Sequence, residues 1–184
     1  MKTPLIQLTL ATLLLGNSAF GVGTTVVAAA DAAQPAEIRQ ALQSQEKKRP
    51  HIAHFNLGKK GLAIQGYDPV AYFKEGGGKP LKGKETLTFT HLQVTYRFAS
   101  QKNLDLFKKD PTKFEPLYGG WCAFAMADND KTDINPKSFL IQDGKLLLFY
   151  DGFWGDTRKQ WIKDPKGFSP KAKAGWTKFT SKKK

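Results

Sequence analysis

The chain has 184 residues and a formal net charge of +13, from 29 basic residues against 16 acidic ones. Its single cysteine excludes an intramolecular disulfide framework and a zinc site built from several cysteines. With 40% hydrophobic and 12% aromatic residues, the composition excludes a fully disordered chain and fits one compact domain with appendages.

Residues 1–30 have the pattern of a secretory signal peptide. Lys2 precedes an apolar stretch over residues 5–15, and the alanines at 28–30 supply small residues at the cleavage positions. We therefore expect a periplasmic or secreted protein that is not an integral membrane protein after cleavage. An uncleaved N-terminal anchor is the alternative.

Residues 31–54 form a polar segment that we interpret as a tether. Residues 31–50 are rich in Ala, Gln, Glu and Lys and contain no aromatic residue. His51 and His54 follow with an HxxH spacing that suits a late transition metal if the segment is helical. Two solvated histidines are the alternative interpretation.

Residues 55–164 carry the signals of a folded domain, beginning with a β-hairpin. Apolar residues recur at period two over residues 85–98, which predicts two strands joined around His91 and Leu92. His91 is therefore expected at an exposed hairpin tip.

The rest of this domain mixes helices with a second hairpin. Ser100 stands at the N-cap position of a predicted helix over residues 101–110. Asp143 and Gly144 predict a type I′ turn between two strands, and another helix is expected over residues 155–164. The predicted fold class is α+β, a small single domain with β-hairpins and two or three short helices.

Positive charge is concentrated at the C-terminus. Residues 157–184 hold ten basic residues against one acid. We predict that residues 165–184 form a basic tail, which binds an anionic envelope surface or a partner protein through Trp176 and Phe179. Nucleic acid is not an expected partner, because the chain is exported and its folded part is close to neutral.

Three ordered blocks resemble the secreted branch of the YHS-domain family. They are GLAIQGYDPVAYF at residues 61–73, VTYRFASQKNLDLFKKDPTKFEPLYGGWCAFAM at residues 94–126, and DGKLLLFY at residues 143–150 with the basic helix that follows. The resemblance covers residues 61–163. It implies a YHS-like, treble-clef-related core and association with a metal ion such as copper.

The chain departs from the metal-associated members of that family where their cysteines stand. The corresponding segments are DPVAY at residues 68–72 and FAS at residues 98–100, so neither thiol is present. A metal site of that type is therefore not expected.

A different metal site is expected around Cys122. Once Met1 is removed with the signal peptide, the chain contains one cysteine, Cys122, and one methionine, Met126. Their spacing of four places both side chains on one face of a helix or strand. Because thiolate and thioether ligands suit Cu(I), we expect Cys122, Met126 and His54 to bind a copper ion. A core position, a reactive thiol and intermolecular pairing stay open for Cys122.

Tyr67 and Asp68 are the expected cofactor-binding residues, lining a pocket together with Cys122. Because Asp68 precedes a proline, its carboxylate can instead accept backbone N–H groups and shape a turn. The two interpretations place Asp68 in a ligand site or in the structural framework.

No catalytic constellation accompanies these residues, because no sequence context ties a histidine to Cys122. Gly119 and Gly120 permit positive φ but lack the Lys-Ser/Thr of a phosphate loop. The sequence therefore predicts a non-enzymatic, metal-associated YHS-like protein of the cell envelope. The competing prediction is a non-metal interaction module acting through its basic tail.

Overall fold

The computed structural model describes residues 49–181, and the statements below refer to these residues. The expected signal peptide and most of the expected tether lie outside them. The described residues belong to one compact unit.

Six strands pair as three separate antiparallel hairpins. They are β1 Lys84–His91 with β2 Val94–Phe98, β3 Asn135–Gln142 with β4 Lys145–Phe149, and β5 Asp151–Gly152 with β6 Gly155–Asp156. The first two hairpins confirm the predictions. Asp143 and Gly144 have φ values of 52° and 69°, the positive values that a type I′ turn requires.

Five α-helices occur among the described residues. They are α1 Gln101–Lys109, α2 Pro111–Phe114, α3 Ala123–Ala127, α4 Arg158–Trp161 and α5 Pro165–Ser181. Short 3₁₀ turns lie at Ile52–His54, Lys59–Gly61, Ile64–Gly66, Lys74–Gly76 and Leu117–Gly120. The α+β class is confirmed, although the expected number of helices was too low. None of the described helices is both long and apolar enough to cross a bilayer.

Side-chain caps set the bounds of α1 and α2. The Ser100 hydroxyl accepts a hydrogen bond from the Asn103 N–H at 3.2 Å, as predicted for an N-cap. Asp110 ends α1 and caps α2 by accepting from the Lys113 N–H at 3.1 Å. Pro111 occupies the first position of α2, where its missing N–H costs nothing.

The expected basic tail is instead the helix α5, at least as far as Ser181. Asp164 caps this helix by accepting from the Gly167 N–H at 2.9 Å. Gly175 lies directly on α3, because a Cβ atom there would come within 2.2 Å of the Met126 carbonyl oxygen. Residues 165–181 are therefore part of the folded domain.

The strand β4 separates two hydrophobic clusters. Leu146 and Leu148 pack in the first cluster, while Leu147 and Phe149 pack in the second, and all four side chains are buried. Because both faces of the strand are covered, its sequence is a continuous apolar run without alternation.

Candidate functional site

Cys122 is fully buried at the start of α3. Its sulfur accepts a hydrogen bond from the Ala125 N–H at 3.5 Å and lies 3.4 Å from the Thr157 Oγ1. Its own N–H donates to the Thr132 carbonyl oxygen at 3.0 Å. This geometry supports the alternative in which Cys122 occupies a core position and caps a helix.

Met126 and His54, the other two expected copper ligands, have surroundings different from those of Cys122. Met126 is buried in the second hydrophobic cluster, whereas Cys122 packs in the first. The Nδ1 atom of His54 lies 2.9 Å from the Nζ atom of Lys131. No group of three or more His, Cys, Asp or Glu side chains in residues 49–181 is arranged to hold a metal ion. Copper binding through Cys122, Met126 and His54 stays a prediction.

The last residues of the expected tether are docked on the domain. Ile52–His54 forms a 3₁₀ turn, and the His54 carbonyl oxygen accepts a hydrogen bond from the Trp121 indole N–H at 2.7 Å. The ammonium group of Lys131 lies 4.7 Å from the centre of the Phe179 ring, and burial lowers the pKa of Lys131. The domain therefore begins before residue 55.

The Asp68 carboxylate is fully buried and accepts four hydrogen bonds from the protein. One oxygen binds the N–H groups of Val70 and Ala71 at 2.8 and 3.3 Å. The other binds the Ala99 N–H at 2.8 Å and the Asn103 side-chain amide at 2.7 Å. Asp68 thus joins its own turn to the junction between β2 and α1, as the structural interpretation predicts.

Tyr67, in the same segment, is half-buried and packs against the first hydrophobic cluster. Its ring is covered by Lys82, whose Nζ atom is 5.3 Å from the ring centre. No hydrogen bond among the described residues joins Tyr67 or Asp68 to Cys122. The geometry gives no support to a shared pocket of these three residues.

A groove of about 420 Å³ is a candidate site in the described part of the chain. Its walls are mainly aromatic and aliphatic, formed by Phe55, Pro116, Leu117, Tyr118, Leu147, Trp161 and Trp176. Its polar lining consists of Arg49, Glu115, Gln142, Asp143, Lys145, Ser169 and Lys173.

A left-handed turn forms one wall of this groove. Tyr118, Gly119 and Gly120 have φ values of 56°, 60° and 85°. A Cβ atom at Gly119 would lie 2.7 Å from the Trp176 ring and 3.1 Å from the Phe55 Cα. Both aromatic residues can therefore pack this closely only against a glycine. Tyr118 has no such freedom, and its conformation costs about 1–2 kcal/mol. Strain of this kind accumulates at functional sites.

A nearly buried ion pair lines another part of the groove. The Arg49 guanidinium binds both Glu115 carboxylate oxygens, and the two side chains are only 11% and 14% exposed. The Tyr96 hydroxyl donates to the same carboxylate at 2.9 Å. Burial raises the pKa of Tyr96 well above its usual value, and the Glu115 charge adds to this effect. The pair therefore lines the groove without adding net charge.

His91 lies near this ion pair and is half-buried, contrary to the exposed position expected of a hairpin tip. Its ring centre is 6.4 Å from that of Phe107. Burial lowers the pKa of His91. The Glu115 carboxylate acts in the opposite direction, and the Arg49 charge lowers the pKa further.

The remaining polar groups differ in how fully they are used by the protein. The Gln142 amide accepts from the Trp161 indole N–H at 2.8 Å and donates to the Ser169 hydroxyl at 3.0 Å. Lys145 donates to the Thr112 carbonyl oxygen at 3.0 Å, which leaves two of its N–H donors for other partners. Exposed Lys173 makes no ion pair with any described residue.

Comparison with family models, with curated proteins and with solved structures gives no match to this chain. The groove also has no linear sequence motif, because its lining extends from residue 49 to residue 176. The sequence permitted a positive φ at Gly119, which is part of the lining, but it did not predict the groove.

Proposed function

We propose that the chain is an exported binding protein of the cell envelope whose groove holds a small organic molecule with an apolar body and one acidic group. The observation that carries this proposal is the groove of about 420 Å³, with aromatic walls and two lysines among its lining residues. Ligand sites in proteins typically have volumes of about 300–1,000 Å³ and a few placed polar groups.

The apolar body of the ligand follows from the walls. Trp176 meets Phe55 edge to face with ring centres 5.6 Å apart, and Leu147 and Tyr118 line the same space. Each CH₂ group that a ligand buries against such a surface contributes about 0.8 kcal/mol.

The acidic group of the ligand follows from the charges. Arg49 neutralises Glu115, so Lys145 and Lys173 remain against the single carboxylate of Asp143. An acidic ligand can accept hydrogen bonds from both lysines. The same hydrogen bonds to a neutral ligand are weaker, because its acceptor carries no charge.

The lining residues favour binding over catalysis. The Ser169 hydroxyl is hydrogen-bonded to an amide, which is not a base. Burial raises the pKa of Tyr118, so its phenol stays protonated at neutral pH. No histidine or cysteine is part of the lining described here. The signal-peptide pattern and the resemblance to secreted YHS-domain proteins support the proposed location.

Calorimetric titration with a panel of aromatic and alkyl carboxylates, each paired with its neutral amide, tests the proposal. We expect carboxylates to bind and the amides to bind about tenfold more weakly. Lys173→Ala should reduce this preference, because it removes one of the two lining amino groups that no protein carboxylate uses. Lys171→Ala is the matched control, since Lys171 is exposed on the same helix but does not line the groove.

Two results would contradict the proposal. One is equal binding of carboxylates and amides. The other is an equal loss of carboxylate affinity in the Lys171 and Lys173 variants, which would indicate a general charge effect.

A further inference from the structure

The β5–β6 hairpin presents two large aromatic side chains to solvent. Phe153 and Trp154 are 90% and 84% exposed, and their ring centres lie 5.0 Å apart in an edge-to-face arrangement. They form the turn between Gly152 and Gly155, and we call these two residues the aromatic tip. Exposed apolar groups of this kind commonly mark interaction sites.

The base of this hairpin is held firmly by the domain. The Asp156 carboxylate accepts from the Ser138 hydroxyl at 2.6 Å and from the Arg158 N–H at 3.0 Å. The N–H and hydroxyl of Thr157 both donate to the Tyr150 carbonyl oxygen at 3.0 Å. A tip on a fixed base loses little conformational entropy on binding.

Basic residues follow the tip in the chain, after Asp156. Lys159, Lys163 and Lys166 are exposed, and residues 157–184 hold ten basic residues against one acid. Residues 152–155 themselves carry no charge. The aromatic tip is thus uncharged, lies between Asp151 and Asp156, and is followed in the chain by a strongly basic stretch.

We propose that Phe153 and Trp154 insert into the headgroup region of an anionic lipid bilayer, and that the lysines following them in the chain contact lipid phosphates. Tryptophan favours this region because it has an apolar body and a polar N–H. Lysines beside an anionic surface add electrostatic attraction.

The small size of the aromatic tip favours a lipid surface over a protein partner. A stable protein interface buries about 800 Å² on each side around an apolar centre. Ile141 and Ile162 are the other exposed large hydrophobic residues in residues 49–181, and both are less exposed than the tip. Two protruding rings that are followed in the chain by exposed lysines match the layered polarity of a bilayer surface.

This proposal replaces the expected role of Trp176 and Phe179. Trp176 packs against Phe55, and Phe179 covers the ammonium group of Lys131 at 4.7 Å. Both rings are occupied within the fold, so the surface that meets the bilayer shifts from the C-terminal segment to the aromatic tip.

Vesicle sedimentation of the protein recovered after export tests this inference. The parent should bind vesicles of phosphatidylcholine mixed with phosphatidylglycerol, bind pure phosphatidylcholine more weakly, and lose binding as salt is raised. A Phe153→Ser, Trp154→Ser double variant should bind these vesicles more weakly, by at least about tenfold. Ile162→Ser is the matched control and should bind like the parent.

A fluorescence readout locates the contact. Trp154→Phe should keep vesicle binding but lose the blue shift in tryptophan emission that anionic vesicles cause, because the other tryptophans are buried or half-buried. Unchanged vesicle binding by the double variant would overturn the proposal. The proposal would also be overturned if the parent protein did not bind vesicles but bound an envelope protein through the aromatic tip. Thermal unfolding of all variants should match the parent, since these side chains are exposed.

Discussion

The sulfur of Cys122 lies 3.4 Å from the hydroxyl oxygen of Thr157. The same sulfur accepts from the Ala125 N–H in α3, and Thr157 donates twice to the Tyr150 carbonyl oxygen before the β5–β6 hairpin. One buried thiol therefore connects a core helix to the base of the aromatic tip. This position gives the single cysteine a structural role that requires no metal.

Replacement of Cys122 by alanine should lower the free energy of unfolding by about 1–3 kcal/mol, because it removes a helix cap and leaves a small cavity. Urea unfolding measures the change. Cys122→Ser keeps an acceptor for Ala125 and a partner for Thr157, so it should lose less stability than alanine. An alanine variant as stable as the parent would contradict the capping role.

The burial of Cys122 predicts that its thiol reacts with an aromatic disulfide reagent only as the protein unfolds. Absorbance of the released thiolate, followed with and without denaturant, measures this reactivity.

Titration of reduced protein with Cu(I) tests the sequence-based expectation of a copper site separately. A stoichiometric complex that Cys122→Ala loses would support a copper site despite the burial.

Replacement of Asp68 by asparagine should destabilise the domain by about 3 kcal/mol, because the new amide N–H₂ must face at least one backbone N–H group, which can only donate. Chemical denaturation gives the magnitude. Asp128→Asn is the control, since Asp128 is exposed and its change should stay within about 0.5 kcal/mol. Similar losses of unfolding free energy in both variants would show that the hydrogen bonds of Asp68 contribute no more to stability than the exposed Asp128 does.

Gly119→Ala should cost stability and also displace Trp176 from the groove wall. Its new Cβ atom would meet the Trp176 ring at 2.7 Å, so a change in tryptophan fluorescence should accompany a loss of about 2–4 kcal/mol. Gly144→Ala has a similar positive φ but open space around it, and should cost only about 1–2 kcal/mol. Equal costs at the two positions would assign the effect to backbone strain alone.

His91 should make stability depend on pH. Because burial lowers its pKa in the folded state, the unfolded chain binds the proton more readily. Stability should therefore be complete above about pH 6.5, the usual histidine value, and fall as the pH drops below it. Unfolding free energies measured across this range should show a smaller slope for His91→Gln. Exposed His51→Gln should leave the slope unchanged.

Local chemistry made several elements predictable from the sequence. The Asp143-Gly144 turn and the Ser100 cap depend on residues close together in the chain, so their signals survive without tertiary context. The helix α5 was missed because Pro170 and Gly175 oppose a helix locally. Its N-cap Asp164 followed by Pro165 was the available signal.

The candidate site was less predictable than the fold. Arg49 and Glu115 are 66 residues apart, and their ion pair follows from tertiary packing. The aromatic tip was equally invisible, because a sequence does not distinguish the exposed Trp154 from the buried Trp161. The choice between the two interpretations of Asp68 likewise required its hydrogen-bond partners.

The strand β4 links the two hydrophobic clusters through alternate side chains of one short segment. Loss of either cluster would expose one face of this strand to water and weaken the packing that the other cluster needs. The two clusters should therefore melt together in a single cooperative transition, with coincident curves from circular dichroism and tryptophan fluorescence.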